Sequence, residues 1–381
     1  MMHIAFLTPE YPHPKVKNCA GIGTSINNLV GALNKQQLKV SVFIYGQDTN
    51  EVIRQGNCTL HLIQQKKYAF ATWFFYKKHI QHYINSIAKK ENIDLIEAAD
   101  WTGMTSFMNF KIPLIIRFHG SDAYFCHLEG RAQKKKNYWL EKLAIAKAKA
   151  FIAPTEFAGK LSQKLFSIQN KTIQTIHNGI ELQQFHNPNP EVYEEGLLLY
   201  IGTIIRKKGV FELPVILKKV REVCPNAHLV LIGNDSSDIS TQSASTWELL
   251  KEGFEGQNVS YLGKIPYHQV QEHIKRANVC VFPTFAETQG MVTIESMALH
   301  KAIVNSNIGW SQELIVDGES GFLVNPTDHQ KFADRIIELL QNNDTLIQMG
   351  MNARKRVEDT FEIDAIAHQN ISFYKSILQR E

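Results

Sequence analysis

The sequence predicts an α/β protein made of two doubly wound domains, and three observations favour this fold class. First, the chain has 381 residues, which is more than one ordinary domain contains. Second, two sets of short, continuous apolar runs alternate with helix-compatible stretches, a pattern typical of parallel strands that are covered by helices on both faces. Third, residues 178–195, between the two sets, are rich in Asn, Pro and Gly and have the composition of a connection.

Each half of the chain contributes six predicted strands in order. They are IAFLT, VSVFIYG, IDLIEAA, PLIIRFHG, AFIAPT and TIQTIHNGI, then LLLYIGT, AHLVLIGN, VSYLGKI, VCVFPT, KAIVNSN and GFLVNP. We expect an N-terminal domain over residues 1–180, a C-terminal domain over residues 181–361 and a final helix within residues 362–381. Ligands of open parallel sheets collect at the carboxyl ends of the strands, so two such domains predict a site in a cleft between those ends.

Composition excludes several classes of protein. Apolar residues make up 44% of the chain and charged residues 20%, which are ordinary globular values. The net charge of +4 is small for this length and does not predict a nucleic-acid partner. The sequence shows neither an apolar run of about 18 residues nor a signal-cleavage pattern, so we expect a cytoplasmic protein. The five cysteines include no C-x-x-C pair and predict neither a disulfide framework nor a metal site.

The segment FAETQGMVTIESMALHKAIVNSN carries the strongest chemical pattern. Glu287 lies in a loop after a predicted strand, and Glu295 lies eight positions later on a predicted helix. Backbone N–H groups around Gly290, Met291 and Val292 would face outward at the helix start, where the helix dipole favours an anion such as a pyrophosphate. Carboxylates accept hydrogen bonds from sugar and ribose hydroxyls. The pattern therefore favours a sugar-diphosphate site over a solvated helix face beside a loop charge.

This segment resembles the E-x7-E signature of family 4 retaining glycosyltransferases. The downstream residues that continue the family pattern are Asn307, Glu313, Asp317, Gly318, Gly321, Phe322, Leu323 and Val324. The resemblance implies the GT-B fold, with two Rossmann-like domains facing a central cleft and a C-terminal helix that crosses back to the first domain. Sequence alone leaves open a terminal helix packed on the second domain. The resemblance also implies a nucleotide-sugar substrate, no cofactor and metal-independent chemistry, which agrees with the absence of a D-x-D motif.

The segment YIGTIIRKKGVFEL resembles the phosphate-binding element of this family. Arg206 and Lys208 are the candidate cations, because fixed positive charge stabilises the charge that develops on a departing diphosphate. Thr203 stands where the family commonly has Arg, so Arg206 would substitute for that residue, with Lys207 as the second candidate. The alternative interpretation is a basic turn on the surface.

Other motifs implicate the first domain and the remaining strand ends. Gly21 and Gly23 resemble a glycine-rich loop after the first strand, where close backbone approach to a donor or acceptor is expected. His119, in HGSD, resembles the catalytic-loop histidine of the family and could hydrogen-bond the donor sugar, although a lone histidine is more often structural. The further nucleotide-binding positions that the resemblance implies are Thr203, Gly233, Asn234 and Lys264.

Together these motifs predict a retaining glycosyltransferase in which Glu287 binds donor-sugar hydroxyls and Glu295 binds the ribose. The resemblance implies a nucleotide-diphosphate sugar as the donor, with UDP favoured and GDP as the alternative. We expect the acceptor to be a hydroxyl of a glycan or a lipid-linked acceptor, in bacterial surface polysaccharide synthesis. A nucleotide-sugar epimerase and a non-catalytic subunit of a polysaccharide assembly complex remain as alternatives. Departures from the family pattern at Gln289, His300 and Trp310 leave the donor sugar open.

Two segments combine aromatic and basic residues. They are YAFATWFFYKKHIQHYI and RAQKKKNYWLEKLAIAKAKA, both in the first domain. Aromatic side chains beside cations are typical of a membrane surface or of contact with a lipid-linked acceptor. A core-packed helix with a solvated basic face is the alternative. We therefore expect a cytoplasmic protein with peripheral contact at the inner face of the membrane.

Overall fold

The computed structural model describes residues 1–379, which divide into two compact units. The first unit contains Met1–Gly179 together with the C-terminal segment from Ile363, and the second contains Ile180–Glu362. Each unit is an α/β body built on one sheet, so the fold class predicted from the sequence is confirmed. Within the described residues, no helix combines the length and the apolarity that a membrane span requires.

The first unit has eight strands in the order β3-β4-β2-β1-β5-β6-β7-β8. Its elements are β1 (His3–Thr8), α1 (Gly21–Lys35), β2 (Lys39–Gln47), β3 (Glu51–Gln55), β4 (Cys58–Gln64), α2 (Thr72–Glu91), β5 (Leu95–Ala99), β6 (Leu114–Arg117), α3 (Asp122–Leu128), α4 (Lys135–Lys147), β7 (Ala150–Ala153), α5 (Glu156–Phe166) and β8 (Ile173–Thr175). All neighbouring strands are parallel except β3, which pairs antiparallel with β4 at one edge. The sequence analysis missed both β3 and β4.

The second unit has six strands in the order β11-β10-β9-β12-β13-β14, and every pair is parallel. Its elements are β9 (Leu197–Ile201), α6 (Leu213–Val223), β10 (His228–Ile232), α7 (Thr246–Leu250), β11 (Val259–Tyr261), α8 (Tyr267–Arg276), β12 (Val279–Phe282), α9 (Met291–Ala298), β13 (Ala302–Ser306), α10 (Gly309–Gln312), β14 (Phe322–Val324), α11 (His329–Gln341) and α12 (Asn343–Thr360). Each strand matches one apolar run predicted from the sequence. Because the strands are parallel, all their carboxyl ends lie along one edge.

The continuous apolar runs reflect burial on both faces of the first sheet. Along β1, Ile4 and Phe6 belong to one hydrophobic core, whereas Ala5 and Leu7 belong to the core on the opposite face. Successive strand side chains point to opposite faces, so a strand covered by helices on both sides must be apolar at every position. This is why the strands read as unbroken apolar runs rather than as an alternating pattern.

The last helix, α13 (Ile363–Leu378), packs in the first unit against α1, as the family resemblance implied. A buried polar network ties it to the sheet. Arg117 donates two hydrogen bonds to the Glu97 carboxylate, at 2.7 and 3.1 Å, and a third to the Asn370 side chain at 2.6 Å. The Tyr374 hydroxyl also donates to Glu97, at 2.7 Å. The network fixes the position of α13, because leaving a buried charge unpaired is costly.

Candidate active site

Three glycines meet at the carboxyl ends of neighbouring strands of the second unit. Gly202 follows β9, Gly233 follows β10 and Gly263 lies two residues after β11. A Cβ on Gly233 would lie 1.9 Å from the carbonyl oxygen of Gly202, and the Gly233 N–H donates to the Gly263 carbonyl at 2.9 Å. The three turns are thus in backbone contact, and a side chain at position 233 is excluded because it would collide with the Gly202 carbonyl. A ligand at this edge would meet the backbone groups of these glycines.

The predicted nucleotide-binding residues around these glycines occupy exposed positions. Thr203, Asn234 and Lys264 are all exposed, and the Asn234 carbonyl accepts a hydrogen bond from the Ile204 N–H at 2.8 Å. The structure thus brings Thr203 and Asn234 to adjacent strand ends. Their role in binding a nucleotide stays a prediction.

The basic turn that follows β9 is fixed to the loop that follows β12. Residues Arg206–Lys208 form a single 3₁₀ turn that ends at Gly209. Gly209 has φ +71°, and a Cβ there would lie 1.8 Å from the Pro283 carbonyl oxygen, so only glycine allows this approach. The N–H groups of Phe285 and Ala286 donate to the Lys207 carbonyl at 2.9 and 3.2 Å. These contacts hold the basic turn against residues 283–290, the loop that carries Glu287 and is called the acidic loop.

Lys208 and Glu287 form an ion pair at this junction. Each of the two side chains is 21% exposed to solvent, so both charges are largely removed from water. Burial lowers the pKa of the Lys208 ammonium to about 7, and the charge of Lys207 is the second cause. Contact with a carboxylate favours the protonated form of such an amine. The site thus presents a partly desolvated cation that an arriving diphosphate could also neutralise.

Arg206 has a different partner. Its guanidinium donates two hydrogen bonds to Asp238, at 3.0 and 2.8 Å, and lies 4.3 Å from the ring centre of Phe211. Hydrogen bonding from Arg206 lowers the pKa of Asp238 to about 2, and Thr241 donates to the same carboxylate. Arg206 and Lys208 therefore have separate acidic partners. A diphosphate role for Arg206 stays a prediction, and it requires the guanidinium to share or leave Asp238.

The helix α9 begins at the end of the acidic loop. Gly290 is its N-cap residue, with φ +86° and no side-chain hydrogen bond to cap the first turn. Met291 and Val292 are the first helical residues, so their amides lie where an anion is favoured. The buried ring of Trp310 packs against Gly290, and Gln289 is buried as well. These two side chains therefore support the helix start from inside the unit.

Glu295 lies on α9, eight positions after Glu287, and is half-buried. The side chain of Tyr267, the first residue of α8, interacts with this carboxyl group. Burial raises the pKa of Glu295 to about 7, and the interaction with Tyr267 partly opposes that shift. The carboxyl group therefore changes its protonation state close to neutral pH. The ionised carboxylate is the better acceptor of a hydrogen bond from a ligand hydroxyl.

In the first unit, the predicted glycine-rich loop is helical. The sequence analysis placed Gly21 and Gly23 in a loop before a helix, but α1 already begins at Gly21. A Cβ on Gly23 would lie 2.9 Å from the backbone of Glu10, and the Gly23 N–H donates to the Glu10 carboxylate at 2.8 Å. The loop assignment was wrong because the glycines pack the first turn of α1 against the chain after β1. A role in ligand binding stays a prediction.

His119 follows β6 and lies beside the end of β5. Its backbone N–H donates to the Asp100 carboxylate at 2.9 Å. Burial lowers the pKa of the His119 imidazole to about 3, with the Arg117 charge as the second cause, so the ring is neutral at physiological pH. Burial raises the pKa of Asp100 to about 7, and its Oδ2 has no hydrogen-bond partner among residues 1–379. His119 is therefore suited to hydrogen bonding rather than to donating a proton as imidazolium.

Comparison with known proteins assigns the two halves of the chain to related models. Residues 183–356 match glycosyl transferases group 1, and residues 20–184 match glycosyltransferase family 4, so the two matches together run from residue 20 to residue 356. The chain belongs to the family 4 glycosyltransferases. The family suggested by Glu287, Glu295 and the residues after them is thus confirmed.

This glycosyltransferase is similar in sequence to two curated relatives and in structure to two solved proteins. The chain is 24% identical to alpha-maltose-1-phosphate synthase of Mycolicibacterium smegmatis, over 99% of this chain and 100% of that protein. It is 28% identical to the capsular polysaccharide biosynthesis glycosyltransferase CapM of Staphylococcus aureus, over 64% of this chain and 65% of that protein. Sucrose-phosphate synthase of Thermosynechococcus elongatus superposes with a TM-score of 0.81 at 21% identity, covering 100% of both chains. HepE of Anabaena, in complex with UDP and glucose, superposes with a TM-score of 0.74 at 16% identity, covering 99% of this chain and 100% of that one.

These similarities identify the fold as GT-B, as predicted. The structure also places side chains beside the predicted site residues that sequence reasoning missed. Asp238 binds Arg206, and Tyr267 interacts with Glu295. Neither Asp238 nor Tyr267 lies in a motif that the sequence analysis used. Asp100 could have been found, because it directly follows the predicted strand IDLIEAA, where functional residues of parallel sheets collect.

Proposed function

We propose that this glycosyltransferase transfers a hexose, with retention of anomeric configuration, from a nucleotide-diphosphate sugar to an acceptor hydroxyl. A UDP-sugar is the favoured donor, with a GDP-sugar as the alternative, and the acceptor is a glycan or a lipid-linked glycan of a bacterial surface polysaccharide. The similarity to HepE, solved with UDP and glucose, supports the choice of UDP. The similarity to CapM, a capsular polysaccharide biosynthesis glycosyltransferase, supports a role in the synthesis of a surface polysaccharide.

The observation that carries the proposal is the contact between Lys208 and Glu287 beside the start of α9. The chain brings the two side chains together from positions 79 residues apart. One is a cation suited to a phosphate and the other an acceptor suited to hydroxyls. A nucleotide sugar presents these two chemistries next to each other, at the bond between the anomeric carbon and the diphosphate.

The proposed roles follow from the charge that develops during transfer. When the bond between the anomeric carbon and the phosphate oxygen breaks, the nucleoside diphosphate leaves with additional negative charge. Lys208 and the first amides of α9, at Met291 and Val292, would stabilise that charge without a metal ion. Glu287 would accept hydrogen bonds from hydroxyls of the sugar, and Glu295 from the ribose. Arg206 would assist at the diphosphate if it exchanges its Asp238 partner for a phosphate.

Retention requires that the acceptor oxygen approach the same face from which the diphosphate departs. We propose that the proton of the acceptor hydroxyl passes to the departing phosphate oxygen as the new bond to the anomeric carbon forms. In this step the bond between the anomeric carbon and the phosphate is replaced by a bond to the acceptor oxygen, and no protein nucleophile is consumed. His119, whose pKa is lowered by burial, would then serve as a neutral hydrogen-bond partner of the sugar.

A panel of nucleotide sugars tests this function. We expect a UDP-sugar to raise the melting temperature, because a ligand that binds only the folded state stabilises it. The same compound should release UDP slowly by hydrolysis and faster when an acceptor is added. Product analysis that found an epimerised donor, without transfer, would contradict a transferase. Failure of every nucleoside diphosphate to bind would contradict catalysis altogether and favour a scaffold subunit.

Glu287→Ala provides the matched test of the site. We expect transfer to be abolished while the protein stays folded, because Glu287 lies in a loop and Lys208, whose pKa is lowered to about 7, can become neutral once its partner is removed. Glu255→Ala is the control, since Glu255 is an exposed carboxylate of the same unit. Unchanged turnover in Glu287→Ala would remove Glu287 from the proposed mechanism.

A further inference from the structure

An aromatic ridge crosses the surface of the first unit. We define this ridge as Phe70, Trp73, Phe74, Phe107 and Trp139. The Phe107 ring connects the two aromatic and basic segments found in the sequence, one with Trp73 and Phe74 and the other with Trp139. The centre of the Phe107 ring lies 5.5 Å from those of Trp73 and Trp139 and 5.6 Å from that of Phe74. Phe70, Trp73 and Trp139 are 72%, 43% and 51% exposed. Large aromatic side chains are thus clustered and left in contact with solvent.

The loop that carries Phe107 is held in a strained conformation. Phe107 has φ +63°, a left-handed value that is rare for a bulky residue and that often marks a functional position. Two lysines of α2 fix this loop. Lys77 donates to the Gly103 carbonyl at 2.8 Å and to the Ser106 hydroxyl at 2.6 Å, and Lys78 donates to the Phe107 carbonyl at 2.5 Å. The ridge is therefore built by specific contacts rather than left exposed by a loose loop.

The two sequence segments that carry most of the ridge are strongly basic. Residues 64–90 contain six lysines and no acidic residue, and residues 131–149 contain seven basic residues and one acidic residue, Glu141. These two segments together carry a net charge of +12, whereas the whole chain carries only +4, so the rest of the chain is net negative. Lys136 lies 5.6 Å from the ring centre of Trp73, and Lys78 lies 5.8 Å from that of Phe74. The ridge is thus interleaved with ammonium groups.

We propose that the aromatic ridge and its flanking lysines dock the first unit on the surface of an anionic lipid bilayer. Tryptophan and phenylalanine rings bury favourably at the boundary between headgroups and acyl chains. Lysines next to them are attracted by the negative surface potential of the headgroups. A glycan would use the rings but would not need the surrounding charge, whereas an anionic bilayer uses both. Such docking would hold the enzyme where lipid-linked acceptors lie.

Vesicle binding tests this proposal directly. The intact chain should bind vesicles that contain about 30% phosphatidylglycerol at about 50 mM salt, and binding should weaken at about 500 mM salt because surface charges are screened. Vesicles of phosphatidylcholine alone should bind at least about tenfold more weakly, since they lack the negative surface charge. Absence of binding to the anionic vesicles at low salt would overturn the proposal.

Two charge-reversal variants test whether the position of the positive charge matters. Lys134→Glu/Lys135→Glu/Lys136→Glu should lower the vesicle partition coefficient at least about tenfold, because it replaces attraction with repulsion. The control Lys218→Glu/Lys331→Glu/Lys355→Glu makes the same charge change at exposed lysines of the second unit and should retain binding. If both triple variants lose binding equally, only total charge matters, and a specific docking surface is refuted.

Insertion of the rings has its own readout. Tryptophan fluorescence of the intact chain should be quenched by vesicles with brominated acyl chains, and Trp73→Phe/Trp139→Phe should lose most of that quenching. Trp247→Phe, in the second unit, is the control and should keep it. Quenching that survives in Trp73→Phe/Trp139→Phe would show that other residues enter the lipid. A chain that ignores vesicles but binds a soluble anionic polysaccharide would show that the ridge is a glycan site and that the proposal is wrong.

Discussion

Replacing the Lys208 ammonium is expected to impair chemistry more than ground-state binding. Lys208→Met keeps most of the side-chain length and removes the charge. In the unliganded enzyme Lys208 already contacts Glu287, and both side chains are about one-fifth exposed. Two charges about 4 Å apart interact by about 4 kcal/mol at an effective dielectric of about 20. A donor sugar must compete with that interaction on binding, so Lys208 should add little net affinity before the diphosphate begins to leave.

The magnitude in the transition state is larger. A fixed donor or cation directed at developing charge contributes about 3 to 4 kcal/mol, so kcat of Lys208→Met should fall about 10²- to 10³-fold. KM for the donor should change by less than about tenfold, because the ground-state contribution is small. The assay is UDP release under saturating acceptor, with the melting temperature recorded for each variant to establish that it is folded.

Lys218→Met is the matched control, because Lys218 is an exposed lysine of α6 in the same unit. Its kcat should stay within about threefold of the unmodified enzyme, as surface substitutions usually have small effects. The reasoning is refuted if folded Lys208→Met retains kcat within that same range. A loss confined to KM would also contradict it, since Lys208 would then act on binding and not on the departing charge.

Three further predictions follow from the geometry. Burial raises the pKa of Glu295 to about 7, so its carboxylate is lost as pH falls through that value. Because Glu295 is assigned to the ribose, uridine affinity measured by calorimetry should fall from about pH 8 to about pH 6, and in Glu295→Gln it should be nearly independent of pH; the same pH dependence in both proteins would exclude Glu295 as its source. Gly209→Ala should lower kcat/KM more than about tenfold, because the added Cβ would collide with the Pro283 carbonyl oxygen of the acidic loop. Gly256→Ala is the control, since Gly256 has a similar φ and its added Cβ would meet no atom within 4 Å. Equal effects of the two substitutions would exclude this steric explanation. Arg117→Met should lower the unfolding free energy of the first unit by about 3 to 5 kcal/mol, because it leaves the buried Glu97 carboxylate without a cation. A denaturant midpoint that does not move would contradict the importance of that network.

The strands of the second unit could be predicted because burial on both faces makes each one a continuous apolar run. The edge hairpin of the first unit was missed for the opposite reason. β3 reads EVIRQ and is partly exposed, and β4 interrupts its apolar residues with Thr59 and His61. The turn between them contains Gly56 with φ +58° followed by Asn57, and a Gly-Asn pair between two short runs is a hairpin signal that could have identified both strands.

The part of the candidate site that lies close together in the sequence was predictable. Glu287, Gly290 and Glu295 lie within nine residues on one loop and one helix, so their relation follows from helix geometry. The partners of the basic turn were not predictable in this way. Arg206 meets Asp238 from an irregular loop 32 residues away, and periodicity does not specify where such a loop folds back.

The start of α1 shows the limit of motif reading. Its N-cap residue is Ala20, which supplies no side-chain acceptor, so the usual signal for a helix start is absent. The carboxylate of Glu10, which lies thirteen positions before Gly23, accepts the Gly23 N–H instead. A capping group that comes from a preceding loop leaves no fixed spacing in the sequence, and the glycines were therefore taken as loop residues.

The most direct test of the central claim compares the affinities of UDP and uridine in the presence of a metal chelator. In the unmodified enzyme, calorimetry should show UDP binding at least about tenfold more tightly than uridine, because the diphosphate adds contacts to the helix start and to fixed cations. In Lys208→Met that ratio should fall, because free UDP carries the full negative charge that the diphosphate of a donor sugar acquires only on leaving, while uridine affinity stays unchanged. Equal affinities for UDP and uridine in the unmodified enzyme, or a ratio that Lys208→Met leaves unchanged, would contradict a diphosphate site at Lys208.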